Sequence, residues 1–228
     1  MVKVDTVYQR VLALANKEQR GYVTPLEFNL LANQAQLDIF EQYFYDINQF
    51  AVTDDIGAEY SDAVDTLEEK ISIFETSTTV TGGSTLPNDL YRLGTVIFNN
   101  NEVEQIEQKK FLYINSSPLT VPTNSRPVYT RSGNAITVYG DGGAQIVSGV
   151  TCNYVRQPAR AEWGYNVVVN KALYNASAGA STNFELHNAE ETKLVIKILE
   201  LAGITINKPG LVAVASQKEI NKLQQEKS

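Results

Sequence analysis

His187 is the only histidine of the 228-residue chain and Cys152 its only cysteine, which narrows the chemistry open to this sequence. A serine or cysteine nucleophile of the triad type needs an imidazole to take its proton, and a two-histidine zinc helix needs a second ring. His187 stands immediately before an Asn188 and Glu191 pair that reads as a helix cap, so a side chain at the opening of a helix is its plainer role. One cysteine excludes an internal disulfide and any multi-cysteine metal site, and Cys152 reads as a small apolar residue on a strand. The acidic cluster Asp54, Asp55, Glu59 and Asp62 lacks the alternating Asp-x-Asp-x-Asp-Gly pattern of a calcium loop and reads as a solvated helix start. Asp141, ahead of Gly142-Gly143, has the chemistry for a cation but is explained more simply by a turn. No Gly-x-x-x-x-Gly-Lys-Ser/Thr phosphate loop and no Gly-x-Gly-x-x-Gly fingerprint occurs. Paired carboxylates for glycoside hydrolysis, about 5 to 10 Å apart, are set only by tertiary structure and stand as the one fallback enzyme reading. The expectation is a chain with no catalytic residue, no cofactor and no metal.

Contacts are better represented than reactions. Trp163, within Ala161-Glu162-Trp163-Gly164-Tyr165, is either an interface anchor or a core plug at the edge of a β-region. The 12 tyrosines exceed the 8 phenylalanines, and amphipathic Tyr suits surfaces that are wet before assembly and dry after it. A net charge of -7, with no basic run longer than Lys109-Lys110, disfavours a dedicated nucleic-acid binder. No stretch of about 18 apolar residues is present and Met1-Val2-Lys3-Val4-Asp5 leads into a polar helix pattern, so the expectation is a soluble chain, cytosolic when made, that does not engage a membrane.

The elements that must position these residues begin with helices. Val4, Val7, Tyr8, Val11, Leu12 and Ala15 recur at helical spacing until Gly21. The second helix opens with Thr24 as cap, Pro25 at the first helical position, Glu27 completing a capping box and Val23 placed to staple onto Phe28. Its stripe Leu26, Leu30, Asn33, Leu37, Phe40, Phe44, Ile47 and Ala51 steps by four and three over a length on the order of 39 Å. A third helix carries Tyr60, Val64, Leu67 and Ile71 inward and Asp62, Asp65, Glu68 and Glu69 outward.

Residues 72–85, rich in Thr and Ser and ending in Gly82-Gly83, read as an exposed strand or arm. A strand at 93–98 and a short helix at 104–113, with Val103, Ile106 and Lys110 on related faces, follow. Pro118, Pro122 and Pro127 punctuate an irregular stretch. Strands at 128–131, 135–139 and 145–155 are separated by Gly133-Asn134 and Asp141-Gly142-Gly143, and the last turns Ile146, Ser148, Val150, Cys152 and Tyr154 to the core. A hairpin at 165–175, turning at Asn170-Lys171, reads as a projecting flap. The Asn188 and Glu191 pair opens a helix with Leu194, Val195, Ile198, Leu199, Leu201 and Ala202, ended by Gly203, that should pack on the long helix. The tail 209–228 is helical but polar, a segment that orders best against a partner. The fold class expected is α+β: a helical bundle with one long helix, plus a small antiparallel β-domain inserted before the late helices. The whole is read as a single domain, with 1–71 and 185–228 as its helical part and 72–184 as its mainly β part.

Four short motifs fall in order along this plan: Leu86-Pro87-Asn88-Asp89-Leu90-Tyr91-Arg92-Leu93, Arg126-Pro127-Val128-Tyr129, Gly133-Asn134-Ala135-Ile136-Thr137-Val138-Tyr139, and Asn153-Tyr154-Val155-Arg156-Gln157-Pro158. Together with the helix opening at Thr24-Pro25-Leu26-Glu27 and the Phe184-Glu185-Leu186-His187 lead into the late helix, the order over residues 5–205 resembles the head-to-tail connector proteins of short-tailed bacteriophages. These are also called adaptor, ring or tail tubular proteins, and include those of crAss-like phages. The resemblance implies a non-enzymatic virion protein of the neck or tail, present in the host cytoplasm during assembly. It would form a homo-oligomeric ring, usually twelvefold, that docks beneath the portal protein, meets another ring or tail protein and extends the DNA channel used in genome ejection.

On that reading Leu30, Leu37, Phe40, Phe44, Ile47, Trp163 and Tyr165 are candidate subunit-interface residues. Leu211, Val214 and Leu223 in the polar tail are candidate portal contacts. Glu102, Glu104, Glu107 and Asp141 are candidates for an acidic channel wall along which DNA passes without specific binding, since such a wall avoids the counterion-release attraction that would trap it. The alternative is a particle-associated β-domain that binds a carbohydrate or receptor with Trp163 and Tyr165 as stacking surfaces.

Overall fold

The computed structural model describes residues 1–17, 23–52, 58–80, 85–169, 171–177 and 179–203. Helices and antiparallel strand pairs alternate along the chain in an α+β fold. The chain divides into two compact units, Met1–Ile73 with Pro158–Ser228, and Phe74–Gln157. The first boundary lies within two residues of the one expected at 71/72. The second falls at 157/158 instead of 184/185, because residues 159–163 are bound along the long helix by side chains of that helix.

The helical unit is built on α1 (Val4–Lys17), α2 (Pro25–Val52), α3 (Ala58–Ser72) and, late in the chain, α5 (Glu191–Leu201). Between α3 and α5 the chain contributes the two strands of a hairpin, described below with the site. In α1 the predicted residues Val4, Val7, Tyr8, Val11 and Ala15 are all buried. The capping box of α2 forms as predicted: the Glu27 N–H donates to Thr24 Oγ1 (3.3 Å), while the Thr24 N–H and Oγ1–H both donate to Glu27 Oε2 (3.0 and 2.8 Å). These bonds to the carboxylate, backbone first, hold Glu27 below its ordinary pKa. Val23 and Phe28, the staple pair, are both buried.

The face that α2 turns inward differs from the predicted stripe. Phe28, Ala32, Ala35, Ile39 and Tyr43 form the buried line, joined toward the C-terminal half by Gln36, Phe40 and Phe44, whereas Leu26, Leu30 and Leu37 are exposed. The sequence offers two apolar lines on one helix, and the line carrying the small residues Ala32 and Ala35 is the one that lets neighbouring elements approach closely. α5 packs on α2 and α1, as its pattern predicts, and α3 packs on α2. Lys70 Nζ of α3 pairs with Glu190 Oε1 (2.9 Å) and lies 5.7 Å from the Tyr43 ring centroid, tying α3 to the start of α5. Burial, and then the Glu190 charge, push the Tyr43 phenol far above its usual pKa.

The opening of α5 also departs from expectation. A 3-10 turn, Asn188–Glu190, leads into α5, which itself starts after Glu190 with no side-chain cap. His187 caps that turn, its Nδ1 accepting the Ala189 N–H (3.3 Å), while Asn188 Oδ1 accepts from the Met1 ammonium (2.9 Å). A positive chain terminus is a stronger partner for an amide oxygen than a neutral backbone N–H, which leaves the capping to the ring one residue earlier. The C-terminal stop at Gly203 has the predicted left-handed conformation (φ 69°).

The β unit holds two four-stranded sheets. One has the order β1-β8-β2-β3, with β1 (Glu75–Thr79), β2 (Leu90–Phe98), β3 (Asn101–Glu102) and β8 (Val150–Arg156). The other has the order β4-β5-β6-β7, with β4 (Glu104–Gln105), β5 (Val128–Ser132), β6 (Ala135–Tyr139) and β7 (Gln145–Ile146). The chain crosses from one sheet to the other between β3 and β4 through Val103, which is buried and whose N–H bonds the Val96 carbonyl (2.8 Å). One core serves both sheets: Val80, Leu86, Val96, Val103, Tyr129, Ile136, Val138, Val150, Cys152 and Tyr154. Cys152 is thus the small apolar strand residue expected, and burial raises its thiol pKa.

Two details correct the strand plan. The helix expected at 104–113 begins only at Gln108, as α4 (Gln108–Ser116), because Glu104–Gln105 pair in parallel with β5 while Val103 and Ile106 turn into the core. The strand expected at 145–155 is split at Gly149, whose φ of 76° breaks the extended run, so Ser148 is exposed while Val150, Cys152 and Tyr154 keep the predicted core side. Gly21, Asp54, Asp55, Gly82 and Gly83 lie outside the described residues.

Candidate functional site

The residues that organise the candidate surface start on one side of α2. Asn29, Asn33 and Gln36, spaced by four and three, hold the extended segment 159–163. The Trp163 N–H donates to Asn29 Oδ1 (2.8 Å) and Asn29 Nδ2 to the Trp163 carbonyl (3.3 Å). The Ala161 N–H donates to Asn33 Oδ1 (2.9 Å) and Asn33 Nδ2 to the Ala161 carbonyl (2.8 Å). Gln36 Nε2 donates to the Ala159 carbonyl (2.8 Å), and Gln36 Oε1 accepts the Glu185 N–H (3.2 Å). A two-residue strand step of about 6.7 Å nearly matches the roughly 6 Å of a four-residue helix step, so side-chain amides take the place of a neighbouring strand. Asn33 was expected in the apolar stripe; amides recurring at helical spacing on an otherwise apolar helix were the signal that reading missed.

This ladder seats Trp163, which is 2% exposed. Its Nε1–H donates to Asp5 Oδ1 (2.9 Å), and its ring meets Tyr8 at 4.2 Å between centroids. On its other contacts it stacks with Tyr165 and Tyr174, each at 5.8 Å and tilted by 22° and 28°. Those two tyrosines are a cross-strand pair at the base of the hairpin formed by β9 (Tyr165–Val168) and β10 (Lys171–Tyr174). Gly164 is required at the start of the hairpin, since a Cβ there would run into the Ala180 carbonyl oxygen. Its N–H bonds Ser181 Oγ (3.0 Å), which in turn donates to the Asn175 carbonyl (2.6 Å). The hairpin base is therefore fixed, while Val167, Val168, Val169 and Leu173 beyond it are exposed.

The predicted interface residues sort accordingly. Leu30 (58% exposed) and Leu37 (37%) are on the surface with Leu26 (65%), and Tyr165 is partly exposed at the hairpin base. Ile47 is half-buried. Phe40, Phe44 and Trp163 are core residues of their own unit, a correction of the interface reading: Phe40 borders the buried line of α2, Phe44 is covered although it repeats the phase of Leu26 about five turns on, and Trp163 is held in its seat. The same burial removes Trp163 as a stacking platform for a sugar. Leu211, Val214 and Leu223 lie outside the described residues.

In the β unit Glu102, Glu104 and Glu107 are exposed within one short stretch. Asp141 serves its turn: its Oδ1 accepts the Asn124 N–H (2.7 Å) and its Oδ2 accepts Asn124 Nδ2 (2.6 Å). Asn101 Nδ2 donates to the Asn124 carbonyl (3.4 Å), so Asn124 connects the Asp141 turn to the β2–β3 connection. A shallow cleft of about 470 Å³ lined by Gln105, Ile106, Glu107, Gln108 and Arg131 contains no nucleophile and no imidazole. Among the described residues no group of three or more His, Cys, Asp or Glu is arranged to hold a metal ion, and no helix is long and apolar enough to cross a membrane.

The motifs behind the connector resemblance meet in space. Tyr154 Oη–H donates to Asp89 Oδ1 (3.2 Å), the Gln157 N–H donates to the Asp89 carbonyl (2.7 Å), and Leu90 pairs with Arg156 across β2 and β8. The 86–93 and 153–158 motifs thus clasp the start of β2 to the end of β8. The other two motifs form the β5–β6 hairpin. Burial, then the Asp89 charge and hydrogen bond, raise the Tyr154 pKa. No protein-family model and no curated protein matches the chain.

Proposed function

We propose that this protein is a structural, non-enzymatic ring subunit of the head-to-tail connector of a short-tailed bacteriophage, joining the portal to the tail and extending the DNA channel. The observation that carries the reading is the clasp of the Asp89 and Tyr154 motifs, with the two intervening motifs paired as β5 and β6 inside the same unit. Short motifs that are separate in sequence have a common purpose when they define one structural unit. A second property supports assembly: α2 is apolar on two faces, one buried in the unit and the other exposed through Leu26, Leu30 and Leu37. An exposed apolar stripe on a helix whose other apolar face is already buried is a surface for a ring neighbour to cover.

In this assembly the DNA passes without sequence-specific contact. The exposed carboxylates Glu102, Glu104 and Glu107 are the candidates for the channel side, and Asp141, engaged by Asn124, shapes their neighbouring turn. Negative-stain electron microscopy of the purified protein, alone and mixed with the portal protein of the same genome, tests the reading. Closed rings alone or on the portal are expected; monomers in both samples would remove it.

A further inference from the structure

Beside the scattered Met1, Leu14, Tyr45 and Leu201, the exposed apolar residues among the described part of the helical unit gather on two features, the outer stripe of α2 and the β9–β10 hairpin. Leu26, Leu30 and Leu37 lie within roughly 40° of one another at 100° per residue and extend over about 16 Å. On one side of this stripe run Asn29 and Asn33, engaged with segment 159–163; on the other run Glu27, Gln34, Asp38, which is paired with Lys197 (3.6 Å), and Glu41, so Glu27 and Glu41 carry the acidic border. The hairpin strand from Tyr165 to Val169 extends over about 13 Å. Val168 pairs with Lys171 and Leu173 with Asn166, so Val168, Lys171 and Leu173 share one face, Val167 lies on the other, and the exposed Val169 stands at the tip. Its single charge is Lys171. Length, apolar character and opposite charge therefore match between the two features.

Val169 adds a separate indication. It occupies the left-handed region, with φ 47°, at a tip where it is 90% exposed. A β-branched residue is strained there, and Asn or Gly would fill the position without that cost. Among the described residues its side chain has no packing that offsets the strain. Strain held at an exposed position points to use of the side chain outside the fold.

We infer that the face of the hairpin carrying Val168 and Leu173, with Val169 at its tip, docks on the Leu26–Leu30–Leu37 stripe of α2 in a second copy of this chain, with Lys171 of that same face meeting the acidic border of the stripe. The contact joins two different surfaces, so it is heterologous and propagates from copy to copy, as a closed ring requires. It deepens the ring reading and rests on it only for closure.

The test mixes a Leu30→Cys protein with a Val169→Cys protein, both carrying Cys152→Ser, under mild oxidation, and follows covalent dimers together with particle images. Dimers that form in the mixture, and far less in either protein alone, are the expected result. Rings without mixed dimers would overturn this contact and leave the ring reading in place. Mixed dimers in closed pairs without rings would support the contact and remove the ring. Monomers with no mixed dimers, or linkage of Leu30→Cys to itself at equal yield, would also overturn the contact. A second variant separates assembly from folding. Val169→Asn should weaken self-association roughly tenfold or more in sedimentation velocity, with thermal unfolding of the monomer unchanged or raised. Unchanged association would count against the inference.

Discussion

The two units reach cohesion by different routes. Phe74–Gln157 is one continuous stretch, in which backbone ladders and a shared apolar core spread the stabilising contacts over many residues. The helical unit gathers residues from both ends of the chain and fastens segment 159–163 through three amide side chains and one tryptophan. Charge divides the same way. Six Asp and Glu balance six Lys and Arg within 74–157, so the net -7 of the chain belongs to the rest of it. The exposed α2 stripe and the exposed hairpin valines also belong to the helical unit. The lesson is that the β unit can tolerate scattered change, whereas the helical unit depends on a few fastenings.

The strongest way to break this comparison is Trp163→Ala. Removing the ring leaves Tyr8, Tyr165 and Tyr174 without their common packing partner and Asp5 without its donor, and a loss of about 3–5 kcal/mol is expected from truncating a buried aromatic. The chain provides its own reporter for the other unit: Cys152, the single cysteine, is buried in the β core. Helical circular dichroism should be lost at clearly lower urea in the variant, while protection of Cys152 from thiol reagents stays as in the parent. Equal loss of both signals would show that the units do not hold independently.

Asn33→Ala is the next step down. It leaves the Ala161 N–H and carbonyl without their partners, at a cost of about 2–3 kcal/mol for part-buried polar groups. Trp163 is the only tryptophan, so its fluorescence reads the loss directly in the unit concerned. Asn33→Asp keeps an acceptor for the Ala161 N–H but sets a carboxylate against the Ala161 carbonyl, and should not restore the parent midpoint. A parent-like midpoint in either variant would reduce the amide ladder to an ornament of the fold.

Much of the α+β plan was legible before the structure, because its signals are local. The Thr24–Glu27 box, the buried face of α1, the β5–β6 hairpin and the core side of β8 each follow from the types of a few adjacent residues. What was not legible depended on choice between alternatives that sequence leaves equal in local energy. α2 has two apolar lines, and only packing with α3, α5 and segment 159–163 selects Phe28, Ala32, Ala35 and Ile39 over Leu26, Leu30 and Leu37. Packing also turned Phe40 and Phe44 from interface candidates into core. The Asn99-Asn100 turn between β2 and β3, both residues at positive φ, was a local signal passed over. At the candidate site, the exposed Leu30, Leu37 and Tyr165 were found from residue type. Asn29, Asn33, Gln36 and Asp5 were not, since their partners lie more than 120 residues away in sequence.

The smallest expected effect sharpens the comparison from the β side. Tyr154→Phe removes one hydrogen bond, to Asp89, from a unit whose cohesion is shared among many, so a loss of about 1 kcal/mol at neutral pH is expected. The pH dependence separates this bond from general packing. Burial and the Asp89 carboxylate raise the folded-state pKa of Tyr154 above its ordinary value near 10.0, so its contribution is fully present below that value. It is lost as pH rises through the raised folded value, because the folded state then holds a proton that the unfolded chain has released. The difference between parent and Tyr154→Phe in urea midpoint should therefore shrink on the alkaline side. Tyr43 and Tyr129, whose pKa values are also raised by burial, remain in both proteins and cancel. A difference that stays constant across that range would mean that the phenol contributes through its ring alone, and that the clasp between the first and last motifs is held by the backbone bond from Gln157 to Asp89.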